Sequence, residues 1–273
     1  MKKLLLASVA AGALSLAGAA NAADLRMPLK APPPPAPVFS WSGCYVGAHW
    51  GWGWGKLRGN SVATDGDVGT TFASGAHFDN TLSGPLFGGQ LGCNYQWPGS
   101  QFVIGVEGSI AGADINGTQN RTAFLFGGTT TAVSASVHTK IDEIASFTGR
   151  IGWAGTGIFG NNNVLFYVKG GWAWAHQRTD LSIGQLIGNA PTIGPFNASF
   201  SGSRDGWTVG GGLEWALSFA PQASIFVEYD YYSFGHKDTV FQPFTFTSVD
   251  LQLHPKVNTV KIGVNYRIFG GPY

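Results

Sequence analysis

Polar and apolar residues alternate strictly over the stretch 261–268. One face is apolar and the other is polar or small, namely Ile262, Val264, Tyr266 and Ile268 against Lys261, Gly263, Asn265 and Arg267. A period of two residues predicts a β-strand whose two faces meet different surroundings. Because the polar face carries two cations and an amide, the pattern favours a strand with lipid outside and a polar lumen inside.

Seven earlier segments alternate in the same way. They cover residues 44–54, 87–97, 102–114, 141–153, 164–176, 207–219 and 224–234. Each is about as long as a tilted strand needs to be to cross a membrane. With the last segment they predict an all-β fold, an eight-stranded antiparallel up-and-down transmembrane β-barrel. The alternative is a soluble barrel with an apolar interior. It is disfavoured because the polar face is small and glycine-rich, which suits a narrow lumen.

The connections between these segments alternate in length. Four predicted long loops cover residues 56–84, 115–140, 177–206 and 235–256, and three predicted short turns cover 98–101, 154–163 and 220–223. Short periplasmic turns and long external loops are typical of bacterial barrels. An even number of strands also places both ends of the barrel on the periplasmic side.

The beginning of the chain predicts export. Residues 1–22 read as a signal peptide, with Lys2 and Lys3 before an apolar core and the cleavage motif at 20–22. Residues 23–40 include a proline-rich run and are predicted to form an extended periplasmic arm. Residues 41–273 are predicted to form the outer-membrane barrel, since their length suits one domain and they show no second compositional block.

Nine charged residues on the strands are predicted to face the lumen: Glu107, Asp142, Arg150, Lys169, Glu214, Glu228, Asp230, Lys261 and Arg267. A charge removed from water needs a partner. An eight-stranded barrel leaves little interior room beyond its side chains. We therefore expect a salt-bridged plug, with Glu107 close to Arg150, and retain a small ion-conducting lumen as the alternative.

Two cysteines, Cys44 and Cys93, lie on neighbouring predicted strands and face outward by alternation. Facing residues on adjacent strands come within disulfide range, and export leads to an oxidising compartment. The register of the two strands does not follow from the sequence. A disulfide and two separate lipid-facing thiols therefore both remain open.

Eight runs carry a resemblance to a known family: 23–25, 41–47, 88–95, 105–107, 149–152, 167–171, 206–214 and 257–267. On these runs the chain resembles the alphaproteobacterial outer-membrane immunogenic protein family, which comprises small OmpA-like barrels of the porin family. Lys261, Gly263, Tyr266 and Ile268 also resemble the terminal assembly signal of bacterial outer-membrane barrels. The resemblance implies the outer membrane of a Gram-negative bacterium as location. It implies membrane lipid, lipopolysaccharide and the barrel-assembly machinery as partners. The chain departs from the family at Cys44, Cys93 and Thr148, and in continuing through residues 269–273.

Other candidate chemistry is weak. The run 155–160 spells a dinucleotide-binding pattern, but another strand follows it instead of the required helix. The histidines are scattered without metal-ligand spacing, at His49, His77, His138, His176, His236 and His254. Four of them fall in predicted loops, where haem ligation is a possibility implied by the family resemblance. There is no basic patch for nucleic acid and no catalytic motif.

These observations predict a protein that is not an enzyme and needs no metal or cofactor. Its expected function is a structural role in envelope integrity and surface display. A narrow porin and a haem-binding surface receptor are the alternatives.

Overall fold

The computed structural model describes residues 39–64, 77–125, 131–155, 163–187, 196–235, 237–244 and 247–269. These residues form nine strands: β1 Gly43–Thr64, β2 His77–Gln96, β3 Phe102–Leu125, β4 Thr131–Gly155, β5 Val164–Ile187, β6 Phe196–Leu217, β7 Ala220–Phe234, β8 Lys237–Phe244 and β9 Thr247–Phe269. The predicted signal peptide and the predicted arm up to residue 38 lie outside the described residues.

Eight of these nine strands form a closed antiparallel ring. Strands β1 to β7 pair with their sequence neighbours, β7 pairs with β9, and β9 closes the ring against β1. Strand β8 is an additional short strand that pairs with the outer part of β9. The predicted eight-stranded barrel is therefore confirmed, and closure leaves no unpaired edge in the ring.

Within the described part of the chain, no helix is long and apolar enough to cross a membrane.

The two faces of the strands follow the predicted alternation over most of the ring. Large apolar side chains point outward, with Trp50 at 56%, Phe87 at 68% and Ile151 at 60% exposure. Their sequence neighbours point inward and are buried, for example His49 and Arg150. An apolar exterior around a buried interior is the arrangement of a barrel in lipid.

The strands extend well beyond their predicted outer ends, so the predicted long loops are largely wrong. Strands β1 and β2 remain paired as far as Asn60 and His77, and β3 and β4 as far as Leu125 and Thr131. The predicted ends were placed where the apolar face stops. That point marks the edge of the lipid layer, whereas polar β-branched residues continue the backbone pairing beyond it.

One predicted short turn is also displaced. The connection between β6 and β7 is the two-residue turn Ser218–Phe219, and the predicted turn residues 220–223 belong to β7. The register shifts by three residues between Ala216 and Leu217, because residues 221–223 of β7 have no partner on β6. A bulge of this kind moves a turn without changing the order of the strands.

Candidate functional site: the charged lumen

Seven charged side chains from six strands meet inside the barrel. They are Glu107 of β3, Arg150 of β4, Lys169 of β5, Glu214 of β6, Glu228 and Asp230 of β7, and Lys261 of β9. Each occupies an inward position of its strand, and none is more than 3% exposed. Four buried carboxylates thus lie among three buried cations, and we call this set the lumen network.

Arg150 joins two of the carboxylates. Its Nη1 donates to Glu107 Oε2 at 3.2 Å, and its Nη2 donates to Glu214 Oε2 at 2.8 Å. The guanidinium also lies over the ring of Tyr167, with Cζ 4.2 Å from the ring centroid. A planar guanidinium can satisfy several acceptors and an aromatic face simultaneously, which a lysine at this position could not do.

Two lysines connect the remaining carboxylates. Lys169 Nζ lies 2.9 Å from Glu107 Oε1 and 2.7 Å from Glu228 Oε1. Lys261 Nζ lies 2.8 Å from the same Glu228 oxygen and 2.6 Å from Asp230 Oδ2. Glu107 and Glu228 are therefore each shared between two cations, and all seven charges form one continuous chain of ion pairs.

Neutral groups complete the network. The Tyr45 hydroxyl donates to Glu107 Oε2 at 2.5 Å and accepts from Arg150 Nη1 at 2.6 Å, and the Tyr167 hydroxyl donates to Glu228 Oε2 at 2.9 Å. Glu214 Oε1 accepts from Ser224 Oγ at 2.6 Å and from Asn265 Nδ2 at 2.9 Å. Hydrogen bonds of this kind satisfy lone pairs that the ion pairs leave over.

Tyr45 and Tyr167 were not predicted from the sequence to belong to the lumen network. Alternation already placed them on the inward face, so the missing information was which partners they would reach. Two glycines make room for them: a Cβ at Gly92 would lie 2.5 Å from the Tyr45 hydroxyl, and one at Gly212 would lie 2.6 Å from that of Tyr167. Inward glycines opposite a tyrosine were the available signal.

Asp142 does not belong to the lumen network, contrary to the prediction. The register of β4 with β5 shifts between Ile141 and Glu143, so Ile141 and Ile144 both point inward. This bulge interrupts the two-residue period on which the prediction depended. Asp142 instead pairs with Lys140 at 3.3 Å, and Lys140 also contacts Asp114 at 3.2 Å. The hydrogen bond between Lys140 and Asp114 is the main reason why the pKa of Asp114 is lowered and that of Lys140 is raised.

Arg267 also lies apart from the ion pairs of the described residues, although it points inward as predicted. Its Nη1 donates to the backbone oxygen of Ser40 at 2.9 Å, and its guanidinium covers the rings of Phe39 and Trp41. Arg267 is separated from the lumen network along the barrel axis, because it lies near the end of β9, beside the start of β1. Phe39 and Ser40, assigned from sequence to the arm, thus contact the barrel end.

An apolar layer fills the lumen at this end. Trp41 is 2% exposed and packs in a cluster with Val103, Ala154, Leu165, Tyr167 and Ala216, against which Phe39 also packs. The Trp41 backbone N–H donates to Gln96 Oε1 at 2.8 Å, and this bond holds the segment in place. We call this layer the periplasmic plug.

A second apolar layer lies on the other side of the lumen network. Its buried members are Leu82, Leu86, Ala111, Ile115, Ile141, Ile144, Ala173, Ala175, Tyr232, Phe234 and Val257. The Tyr232 hydroxyl, 3.3 Å from Asp230 Oδ2, marks where this outer layer meets the charges. Both apolar layers were missed from sequence, where the inward face was expected to be polar.

The residues of the predicted assembly signal are divided between the two faces of β9. Gly263 faces the lumen, where a Cβ would lie 2.6 Å from the ring of Phe226. Tyr266 and Ile268 face outward and are exposed, and the Tyr266 hydroxyl donates to Gln222 Oε1 at 2.6 Å. Lys261 belongs to the lumen network, so the terminal strand has a structural role in addition to its predicted role as an assembly signal.

Cys44 and Cys93 are directly opposite each other on β1 and β2, and the structure joins them by a disulfide on the outer face. We expect denatured, unreduced protein to show no alkylation by a thiol reagent. After reduction, two alkyl groups should be added, and mass spectrometry distinguishes the two results. Alkylation of both residues before reduction would instead support the two-thiol alternative.

The histidines whose side chains the structure describes do not converge. His138, predicted in a loop, lies in β4 with Nδ1 2.8 Å from Thr118 Oγ1, and His49 is buried in the lumen. His236 and the side chains of His77 and His254 lie outside the described residues. Among the described residues, no three His, Cys, Asp or Glu side chains are grouped to hold a metal ion.

Residues 7–267 match the family model described as outer membrane protein beta-barrel domain. The chain is 27% identical over 269 residues to the 31 kDa outer-membrane immunogenic proteins of Brucella melitensis and Brucella suis, covering 98% of this chain and 100% of theirs. Among solved structures it is similar to the outer membrane protein OprG from Pseudomonas aeruginosa. That match has 12% identity and a TM-score of 0.38, and covers 84% of this chain and 99% of that one.

Proposed function

Because the chain belongs to the family of outer-membrane β-barrel domains and lies in the outer membrane of a Gram-negative bacterium, we propose that it is a closed structural barrel of the envelope. In this proposal its lumen passes no solute. Its strands anchor the protein in the membrane, and their outer extensions form the surface that the cell displays.

The observation that carries this proposal is the layered filling of the lumen. The lumen network lies between the periplasmic plug and the outer apolar layer, and its charges are paired with one another. A water-filled pore would instead leave its charges exposed to water, as porin lumens do. Buried, mutually paired charges with apolar groups on both sides therefore favour a plug.

The observation that favours the rival, a narrow ion channel, is the charge itself. Four carboxylates and three cations line the same stretch of lumen, and a change of side-chain conformation could open a polar path past them. That path would also have to pass Trp41 on one side and residues such as Leu82 and Ile141 on the other, all of them buried. An ion channel would therefore require both apolar layers to move, in addition to the charged side chains.

The outer extensions support the display role. Strands β3 and β4 pair without interruption from the bulge near Asp114 to Leu125 and Thr131, well beyond the outward apolar residues Ile110 and Phe147. Rigid paired strands present a defined surface, unlike free loops.

We extend the proposal to assembly: the terminal strand β9 is recognised by the barrel-assembly machinery before it closes on β1. We also propose no catalytic activity, since the charged side chains of the lumen network are engaged in pairing with one another. Haem binding remains a hypothesis.

Solute flux tests the closed lumen. Liposomes containing the purified, refolded protein should swell no faster in small sugars or amino acids than liposomes without protein. Liposomes with a general porin serve as the positive control, and heat-modifiable mobility confirms that the test protein is folded. Swelling at a rate proportional to the amount of this protein would overturn the proposal.

The orientation of the barrel can be checked with single cysteines. Ser100 lies in the turn between β2 and β3, and Asn120 is exposed on the outer extension of β3. In intact cells, a membrane-impermeant maleimide should label Asn120→Cys and not Ser100→Cys. Permeabilised cells should label both. Labelling of Ser100→Cys alone in intact cells would mean that the barrel is inserted the other way.

A further inference from the structure

Two lysines face each other on the outer surface of the barrel. Lys56 of β1 and Lys256 of β9 are directly opposite across the seam that closes the ring, and both are exposed. Cβ atoms of facing residues lie about 4.5–5.5 Å apart, and like charges placed there repel each other. Neither lysine forms an ion pair with a carboxylate of the described residues. A repulsive pair at this position suggests that an anion from outside the chain compensates it.

The surroundings of the pair suit a phosphate. Thr81 lies opposite Lys56 on β2, and Ser233 lies opposite Lys256 on β7, so one row of facing residues presents a hydroxyl, two ammonium groups and another hydroxyl. Ammonium and hydroxyl groups are both donors to phosphate oxygens. The row crosses four adjacent strands, so its width matches a headgroup rather than a single small ion.

The height of the pair matches the headgroup level of the membrane. Trp54, directly below Lys56 on the outer face, lies 6.4 Å from Tyr229 between ring centroids. The Tyr229 hydroxyl donates to Asn258 Oδ1 at 2.7 Å, and Asn258 lies directly below Lys256. Tryptophan and tyrosine concentrate at the membrane–water interface. The two lysines therefore lie one step outside this boundary, on the side of the long hairpins.

The opposite side of the barrel provides the contrast. Lys140 of β4 also lies beyond the lipid-facing residues, but Asp114 and Asp142 neutralise it at 3.2 and 3.3 Å. A cation that the chain itself has paired is not available to a membrane anion. The seam between β1 and β9 differs in that neither of its two facing lysines contacts a carboxylate of the described residues.

We propose that Lys56 and Lys256, with Thr81 and Ser233, form a binding site for the phosphate groups of lipopolysaccharide in the outer leaflet. The lysines contact a phosphate on the sugar headgroup, and the acyl chains lie along the aromatic and aliphatic side chains below, including Trp52 and Val260. The lipid thereby covers the seam at which the first and last strands meet.

The test compares lipid A carrying two phosphates with enzymatically dephosphorylated lipid A, each added to purified protein in detergent and measured by native mass spectrometry. A basic residue near an anionic membrane surface contributes about fivefold in affinity. The double variant Lys56→Gln/Lys256→Gln should therefore bind phosphorylated lipid A roughly thirtyfold more weakly than wild type, by the same reasoning. Wild type should also prefer the phosphorylated lipid.

Two further variants complete the experiment. Lys140→Gln removes an outer lysine that the chain has already paired, and it should bind phosphorylated lipid A as wild type does. Lys56→Arg/Lys256→Arg keeps both charges and should also retain binding. Because none of these side chains is buried, thermal unfolding should be unchanged. Equal binding of phosphorylated lipid A by wild type and the double glutamine variant would overturn the proposal, as would equal binding of both lipids by wild type.

Discussion

Replacing Arg150 by alanine should lower the free energy of unfolding in detergent by about 3–5 kcal/mol, the usual cost of removing one partner from a buried ion pair. Arg150 has no substitute in the network. Its loss leaves Glu107 Oε2 and Glu214 Oε2 without their guanidinium partner and uncovers the ring of Tyr167. Thermal or denaturant unfolding, followed by heat-modifiable mobility, measures the change.

The matched control is Lys140→Ala. Lys140 also has two carboxylate partners, but none of the three side chains is buried, and ion pairs at the surface contribute little to stability. Its unfolding midpoint should therefore stay close to that of wild type. If both variants were equally stable, the lumen charges would be screened by water, and the closed lumen would be the wrong description.

Replacing Trp41 by alanine should destabilise the barrel to a similar extent, by about 3–5 kcal/mol, as is usual for truncating a large buried aromatic residue. Trp41 is the largest side chain of the periplasmic plug, and alanine would leave a cavity among Val103, Leu165 and Ala216. The same loss would remove one of the aromatic rings that Arg267 covers. Unfolding of the variant in detergent measures the effect.

Trp153→Ala is the control for this position. Trp153 lies at the same end of the barrel but faces lipid or detergent, with 45% of its surface exposed and an edge-to-face contact with Phe102. It should lose clearly less stability than the Trp41 variant, since no interior cavity forms. A Trp41→Ala protein as stable as Trp153→Ala would show that the plug contributes little to the fold.

The features that the sequence predicts well follow from one rule, the alternation of faces along a strand. Lys169, Glu228 and Lys261 were placed in the lumen because lipid-facing neighbours flanked them. Where a bulge interrupts the period, at Asp142, the rule assigns the wrong face, and nothing local in the sequence marks the bulge. Alternation also gives the direction of a side chain and not its height, so Arg267 was predicted to join charges that lie too far along the barrel axis.

The interior layers could not be predicted for a related reason. Which inward residues share one level depends on the register of all eight strands, and register is set by the closed ring as a whole. Leu82 of β2, Ile141 of β4 and Val257 of β9 form one apolar layer only once that register is known. The same holds for the disulfide, because only the register places Cys44 opposite Cys93.

Ion conductance of the wild-type protein in planar lipid bilayers tests the closed lumen most directly. The protein should be purified, refolded and inserted as an intact chain, and its folded state should be confirmed by heat-modifiable mobility before each recording. A closed lumen should give a flat baseline without sustained current steps, since two apolar layers and a paired set of charges fill it. Reproducible steps of fixed size, appearing in proportion to the protein added, would contradict it.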